Sequence, residues 1–339
     1  MKQEQHKGIR GRHPDAWSRA ITAGHFALVL WFAYWAWRTV EGVFWDWPAH
    51  LDIVGINGRL YYRAAATFVA GGNPWTAVGA QTLENTWPPS GAFVTSAFVG
   101  PPPTVLAFVP FVWIPEWIFV PLWLGVTAVA AVYVIRRLRL PIWWMLFPPL
   151  VSGIEVGNPH IVALALLLCG SNRLRWLAAP MKAYAVIPMV TERQWRALGI
   201  LGVAGVASVV AFWPLWHQYI TGYAQMQDWL VGATLGGFSA ASDPRLFTLA
   251  AVAIAALALI DRRAAGWLAV PALWPATQYF YSTFALPLRS PWLMAMLAVG
   301  GHRADALVPW AIIVYAIGRV TLRLRQRLAR PVLLRLQPV

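Results

Sequence analysis

Residues 117–135 read WIFVPLWLGVTAVAAVYVI, nineteen positions without a charge, and Arg136-Arg137-Leu138-Arg139 follow at once. The run shows no period-two alternation, so it reads as a helix and not as a barrel strand. Its length approaches the ~20 residues that cross a ~30 Å hydrocarbon core. Residues 21–37, 197–213 and 246–260 are runs of the same kind. In lipid every backbone polar group must be satisfied internally, and helices of this length do that. Working outward, the whole chain agrees: of 339 residues 59% are hydrophobic and 12% charged, with mean hydropathy +0.54. A soluble domain of that size needs more polar surface than this sequence holds. The reading is an all-α polytopic membrane protein, one domain over residues 1–339.

The basic residues sit in short clusters between the apolar runs: Arg136 to Arg139, Arg173/Arg175, Arg193/Arg196 and Arg262-Arg263. That is the pattern of cytoplasmic loops under the positive-inside rule. The net charge of +14 therefore points to the lipid bilayer as partner and not to nucleic acid. Residues 1–19, with Lys2, Lys7, Arg10, Arg12 and Arg19, are expected in the cytoplasm. The first helix, near 20–40, is followed by Arg38, Glu41, Phe44 and Trp45 where a cleavage site would need small residues, so an uncleaved anchor in the cell membrane is expected. The tail, 319–339, sets Arg319, Arg323, Arg327 and Arg330 at helical spacing around Val320, Leu324 and Leu328. That predicts a basic amphipathic helix on anionic lipid. One cysteine, Cys169, excludes an internal disulfide.

Residues 41–100 hold Glu41, Asp46, Asp52 and Glu84 against only Arg59 and Arg63, and are expected to form a structured external loop. Within it Leu60 to Ala70 reads as a short helix, stopped by Gly71-Gly72-Asn73-Pro74. Trp45, Trp47, Trp75 and Trp87 suit a membrane interface. Downstream, prolines recur at 101–103, 110, 115, 121, 141 and 148–149. Irregular backbone at membrane depth is tolerated only where protein or a water-filled cavity satisfies it. About eight to ten transmembrane or re-entrant segments are therefore expected, with Pro141 to Val151 and Trp176 to Val190 as candidates for half-depth hairpins.

Four stretches, in order, resemble the GT-C class of membrane glycosyltransferases, and within it the bacterial family that uses polyprenyl-phosphate-linked mannose (glycosyltransferase family 87). GRLYYRAAA at 58–66, leading to GGNPW at 71–75, is similar to the family's Asp-x-x-x-Tyr, Ala and Gly-Gly-Asp-Pro-Tyr pattern. Pro101 to Thr104 with Pro110 and Pro115 resembles its proline-marked helix. GNPH at 157–160 stands where the family often has Gly-Gln-x-Asn, followed by Lys182-Ala183-Tyr184-Ala185, Pro188 and RQWR at 193–196. WPATQY at 274–279 with Pro287 is similar to a late aromatic-proline segment. The chain departs from the pattern at Asn57, where the family's loop aspartate would fall, and in the short interval from Arg175 to Lys182.

The resemblance implies a GT-C-like bundle that moves a sugar, mannose foremost, from a polyprenyl-phosphate donor to a glycan or glycolipid acceptor outside the cytoplasm. It places the base in the first external loop, where Asp52 and Asp46 are the candidates. A carboxylate near the membrane surface can accept the acceptor's proton, while cations or donors hold the departing phosphate. Lys182, a lone lysine in an apolar stretch, is the candidate phosphate ligand; snorkelling to the interface is its alternative, and Glu155 is a possible partner. Arg59 and Arg63, four apart with Tyr62 nearby, can clamp an anion or pair with Glu84. Asn158 and His160 begin a helix whose free N–H groups attract anions, and Gln278 and Tyr279 can hydrogen-bond substrate. His25, His50, His160, His217 and His302 are scattered and no Asp-x-Asp occurs, so the sequence carries no metal signature, although lone carboxylates of separate loops can converge on a divalent ion. Two further readings stay open: a transporter or flippase of a lipid-linked or anionic solute, and an inactive relative, which Asn57 makes reasonable.

Overall fold

The computed structural model describes residues 14–45, 53–76, 78–82, 93–233, 240, 243–275, 278–299 and 307–334; of these, 14–22, 42–44, 78–82, 93–97, 227–233 and 327–334 are described as backbone only. Helix dominates. The chain begins with α1 (Pro14–Trp45), longer at both ends than the 20–40 expected. The loop helix α2 (Ile56–Val69) follows. Next comes a feature that the all-α reading missed, an antiparallel ribbon of β1 (Val78–Thr82) and β2 (Phe93–Ala97), with Val78 opposite Ala97. Phe93, Val94 and Thr95 favour extended backbone. After it come α3 (Pro102–Phe108) and α4 (Glu116–Arg137), and then α5 (Pro148–Glu155) and α6 (His160–Leu168). The second half holds α7 (Val186–Thr191), α8 (Trp195–Ala211), α9 (Trp213–Ala233) and α10 (Pro244–Leu273). It ends with a 3-10 segment (Tyr279–Leu288), α11 (Pro291–Leu297) and α12 (Leu307–Leu334).

Among the described residues three helices are long and apolar enough to cross a membrane: α4, α10, and α12 over Leu307–Gln326. Two bent pairs, α5 with α6 at 119° and α8 with α9 at 96°, raise the number to five if each is one span. This is fewer than the eight to ten expected. The physical reason is proline and glycine: between 141 and 191 they cut the apolar sequence into pieces of nine residues or fewer, and nine residues of α-helix rise only about 14 Å. The α5–α6 pair overlaps the predicted hairpin at 141–151. The stretch 176–190 holds only short turns of helix.

The α6 end is fixed to α4, since Arg137 Nε donates to the Leu168 carbonyl at 2.9 Å. The basic stretch from Arg319 is helical as far as Leu334. Arg319 and Arg323 lie on α12 itself, continuous with its apolar part. Arg319 pairs with Asp261 at 3.1 Å. Asp261 has non-helical backbone in the middle of α10, and its carboxylate accepts the Ala264 N–H at 3.0 Å. One acid thus caps the second half of α10, replacing an N–H partner lost at the kink, and ties α10 to α12.

Apolar side chains gather in two cores. The larger surrounds Trp267, Phe284, Phe147 and Phe32. The smaller lies under α2 and contains Tyr61, Tyr62, Phe108, Phe119 and Trp123. The described part of the 41–100 loop is therefore a packed element, with Ile56, Leu60, Tyr61, Tyr62, Ala64 and Ala65 buried. A Cβ on Gly58 would come within 2.7 Å of the Trp123 ring, so the glycine sets how closely α2 lies on α4.

Candidate functional site

The site is built where α2 meets the tip of the α5–α6 hairpin. The Gly55 N–H donates to the Glu155 carbonyl at 2.8 Å, and the Asn57 N–H to the Val156 carbonyl at 2.9 Å. Gly157, with φ 62°, lies so near that a Cβ on it would stand 3.4 Å from the Gly55 Cα. Only glycine adopts that backbone at such an approach without strain. The Gly157 carbonyl also accepts the Trp123 indole N–H at 2.7 Å, so hairpin tip, loop helix and α4 form one rigid junction.

This junction holds Tyr61 against Lys182. Lys182 follows a single turn of helix, Ala178–Met181, in extended backbone. Its ammonium donates to the Tyr61 hydroxyl at 2.6 Å and to the Tyr281 hydroxyl at 3.0 Å. It also stands 5.1 Å and 5.4 Å from the centres of those two rings, a range in which the ring faces attract a cation. Burial disfavours the charge, but the Tyr281 and Tyr61 oxygens outweigh it and hold Lys182 above its usual range. Burial in turn holds the Tyr61 phenol above its own range, against the pull of Lys182. Tyr184 lies edge-on to Tyr281, ring centres 5.1 Å apart, and His160 likewise at 5.6 Å. Lys182 itself is only partly covered.

An ammonium has three donors, and two are committed to phenols. No carboxylate pairs with Lys182 among the described residues. The expected Glu155 partner is thus corrected: the carbonyl of Glu155 is engaged, and its carboxylate is not paired with Lys182. A cation held by hydroxyls alone keeps its full charge, and in apolar surroundings such a charge attracts an anion.

The other predicted residues divide. Tyr62 is a packing residue, because its hydroxyl donates to the Ile114 carbonyl at 2.8 Å and its ring stacks on Phe119. Arg63 is engaged by Glu116 through two hydrogen bonds, 2.8 Å and 3.1 Å, so the Arg59/Arg63 anion clamp loses one of its arms to a carboxylate. Arg59 shares α2 with it.

Asn158 and His160 are fully buried rather than at a surface. The Asn158 side-chain oxygen accepts the His160 backbone N–H at 3.1 Å, and the His160 ring stacks on Phe280 at 4.9 Å. One of the helix-start donors expected to be free, the His160 N–H, is thus already satisfied. Tyr279 is likewise internal, donating to the Ala298 carbonyl at 2.6 Å, whereas Gln278 is exposed. Asp46, Asp52 and Glu84 lie outside the described residues. Among the described residues no three His, Cys, Asp or Glu side chains converge as a metal site would need.

Two residues that matter here, Tyr61 and Tyr281, escaped the sequence reading. Each lies one or two places from a tyrosine that was chosen, Tyr62 and Tyr279. Compared with family models, with curated proteins and with solved structures, the chain matches none.

Proposed function

We propose that the chain is a polytopic GT-C-type glycosyltransferase of the cell membrane, its N-terminus cytoplasmic. It moves a sugar, mannose foremost, from a polyprenyl-phosphate donor to a glycan or glycolipid acceptor outside the cytoplasm. The observation that carries this reading is Lys182: an ammonium between apolar elements, compensated by the Tyr61 and Tyr281 hydroxyls and, among the described residues, by no carboxylate. In glycosyl transfer negative charge grows on the departing phosphate. A fixed cation with a free donor stabilises that charge best where water is scarce. The phenols orient the ammonium without neutralising it. The packed loop helix α2 supplies one of them, which gives the loop a role in assembling the site.

The test uses the purified full chain in liposomes with labelled polyprenyl-phosphate mannose and bacterial membranes as acceptor. Label should pass to the acceptor. No transfer from any polyprenyl-phosphate sugar would overturn the reading in favour of an inactive relative. Movement of intact donor between leaflets without transfer would overturn it in favour of a flippase.

A further inference from the structure

Six carboxylates have described side chains, and five have partners. Glu41 pairs with Arg38, Glu116 with Arg63, Glu192 with Arg263 and Asp261 with Arg319. Asp243 accepts the Arg245 and Leu246 N–H groups at the start of α10. The sixth, Glu155, makes no side-chain hydrogen bond or ion pair among the described residues. It is partly covered, and neither of its oxygens is among the fully sealed polar atoms. A carboxylate without a partner among apolar helices is destabilising, which makes Glu155, unpaired among the described residues, a candidate for a role in function.

Its place supplies one. Glu155 is the last residue of α5, at the hairpin tip that the Gly55 and Asn57 N–H groups grip. It therefore lies beside the start of α2, the helix that brings Tyr61 to Lys182. On the other side, the turn after Glu155 leads to His160, whose ring meets Tyr281, the second partner of Lys182. The hairpin tip that carries Glu155 and the Lys182 ammonium thus both meet α2, and no ion pair joins the two charges.

We infer that Glu155 takes the proton of the acceptor hydroxyl; this rests on the transferase reading above. The acceptor oxygen bonds to the sugar's anomeric carbon as the bond from that carbon to the phosphate oxygen breaks. The bonding pair leaves with the phosphate, which gains a negative charge beside Lys182. The hydroxyl proton passes to Glu155 and then to solvent. An acid on the rigid hairpin replaces, in this role, one carried by the 41–100 loop.

The experiment compares wild type, Glu155→Gln and Glu155→Asp in the liposome assay, with thermal unfolding of each in detergent. Glu155→Gln should lower kcat at least about 100-fold, within the range for losing a positioned base, with donor KM changed less than about twofold. Its unfolding temperature should hold or rise, because an unpaired charge is removed. Glu155→Asp should recover part of the rate, which a merely structural role would not predict. Full kcat in Glu155→Gln overturns the inference, as does a loss of rate that follows a fall in unfolding temperature. So does abolition of transfer by Asp52→Asn or Asp46→Asn while Glu155→Gln stays active. A wild type that transfers nothing fells the enzyme reading as well, whereas an active wild type with an unaffected Glu155→Gln fells this inference alone.

Discussion

Lys182 and Glu192 are both charged groups set among apolar helices, and the chain treats them in opposite ways. Glu192 is saturated: one oxygen accepts Arg263 Nε and Trp267 Nε1, each at 2.9 Å, and the other accepts Gln194 Nε2 at 2.8 Å. Charge meets charge, and the network ties α7 to the second half of α10. Lys182 has two hydroxyls and, among the described residues, no counter-charge. A satisfied network rigidifies the region around it, while an uncompensated charge keeps its capacity to bind. The first arrangement is a staple, and the second is the one on which the proposed site rests. Function in this protein is therefore to be sought where the electrostatic account does not close.

The largest effect should come from the open cluster. Lys182→Met should lower transfer by about 10²–10³-fold, the scale for removing one donor to a developing oxyanion. Thermal unfolding in detergent should move little, and Lys182→Arg should restore part of the rate. If Lys182→Met unfolds the protein and the rate in both variants falls only as far as their stability does, Lys182 is a staple too and the contrast collapses.

Second, Glu192→Ala should lower stability by about 2 kcal/mol, as hydrogen bonds to a charged group are lost. The expected readout is an earlier unfolding transition with the rate per folded molecule unchanged. A selective loss of rate at wild-type stability would move Glu192 into the working site.

The smallest effect belongs to Arg63. Its bond pair with Glu116 is short, but the side chain is 44% exposed, and exposed pairs contribute about 0.2–1 kcal/mol. Arg63→Ala should shift unfolding by no more than that. A tenfold rise in donor KM would return Arg63 to the donor site and blur the distinction between paired and unpaired cations.

Much of the helical plan was legible, because it depends on local properties. The run at 117–135 needs no knowledge of its neighbours to be a helix, and α4 occupies Glu116–Arg137. The stop after Val69 was equally readable, since Gly71 takes a left-handed φ of 78°. The count of spans was not, because proline and glycine show where a helix breaks but not the angle of the break. The 119° turn between α5 and α6 depends on what packs against each piece. The ribbon of Val78–Thr82 and Phe93–Ala97 was missed for a related reason: short strands have weak local signals, and pairing decides them.

The site was legible as a list of residue types but not as an arrangement. Tyr61 and Tyr62 adjoin in sequence, yet one meets Lys182 and the other stacks on Phe119, because successive residues on a helix face about 100° apart. Sequence alone determined that this chain is helical and apolar enough for a bilayer, since length and hydropathy of a segment act through that segment's own backbone and side chains. It also marked Lys182, because a lysine within an apolar run is conspicuous wherever the run is placed. Tertiary structure alone decided that Arg63 is taken by Glu116, that Lys182 meets Tyr61 and Tyr281 from distant segments, and that the Glu155 carbonyl meets the Gly55 N–H. Each of these is a pairing between elements far apart in the chain. Whether a polar group is satisfied depends on the atoms brought against it, and only packing brings them there.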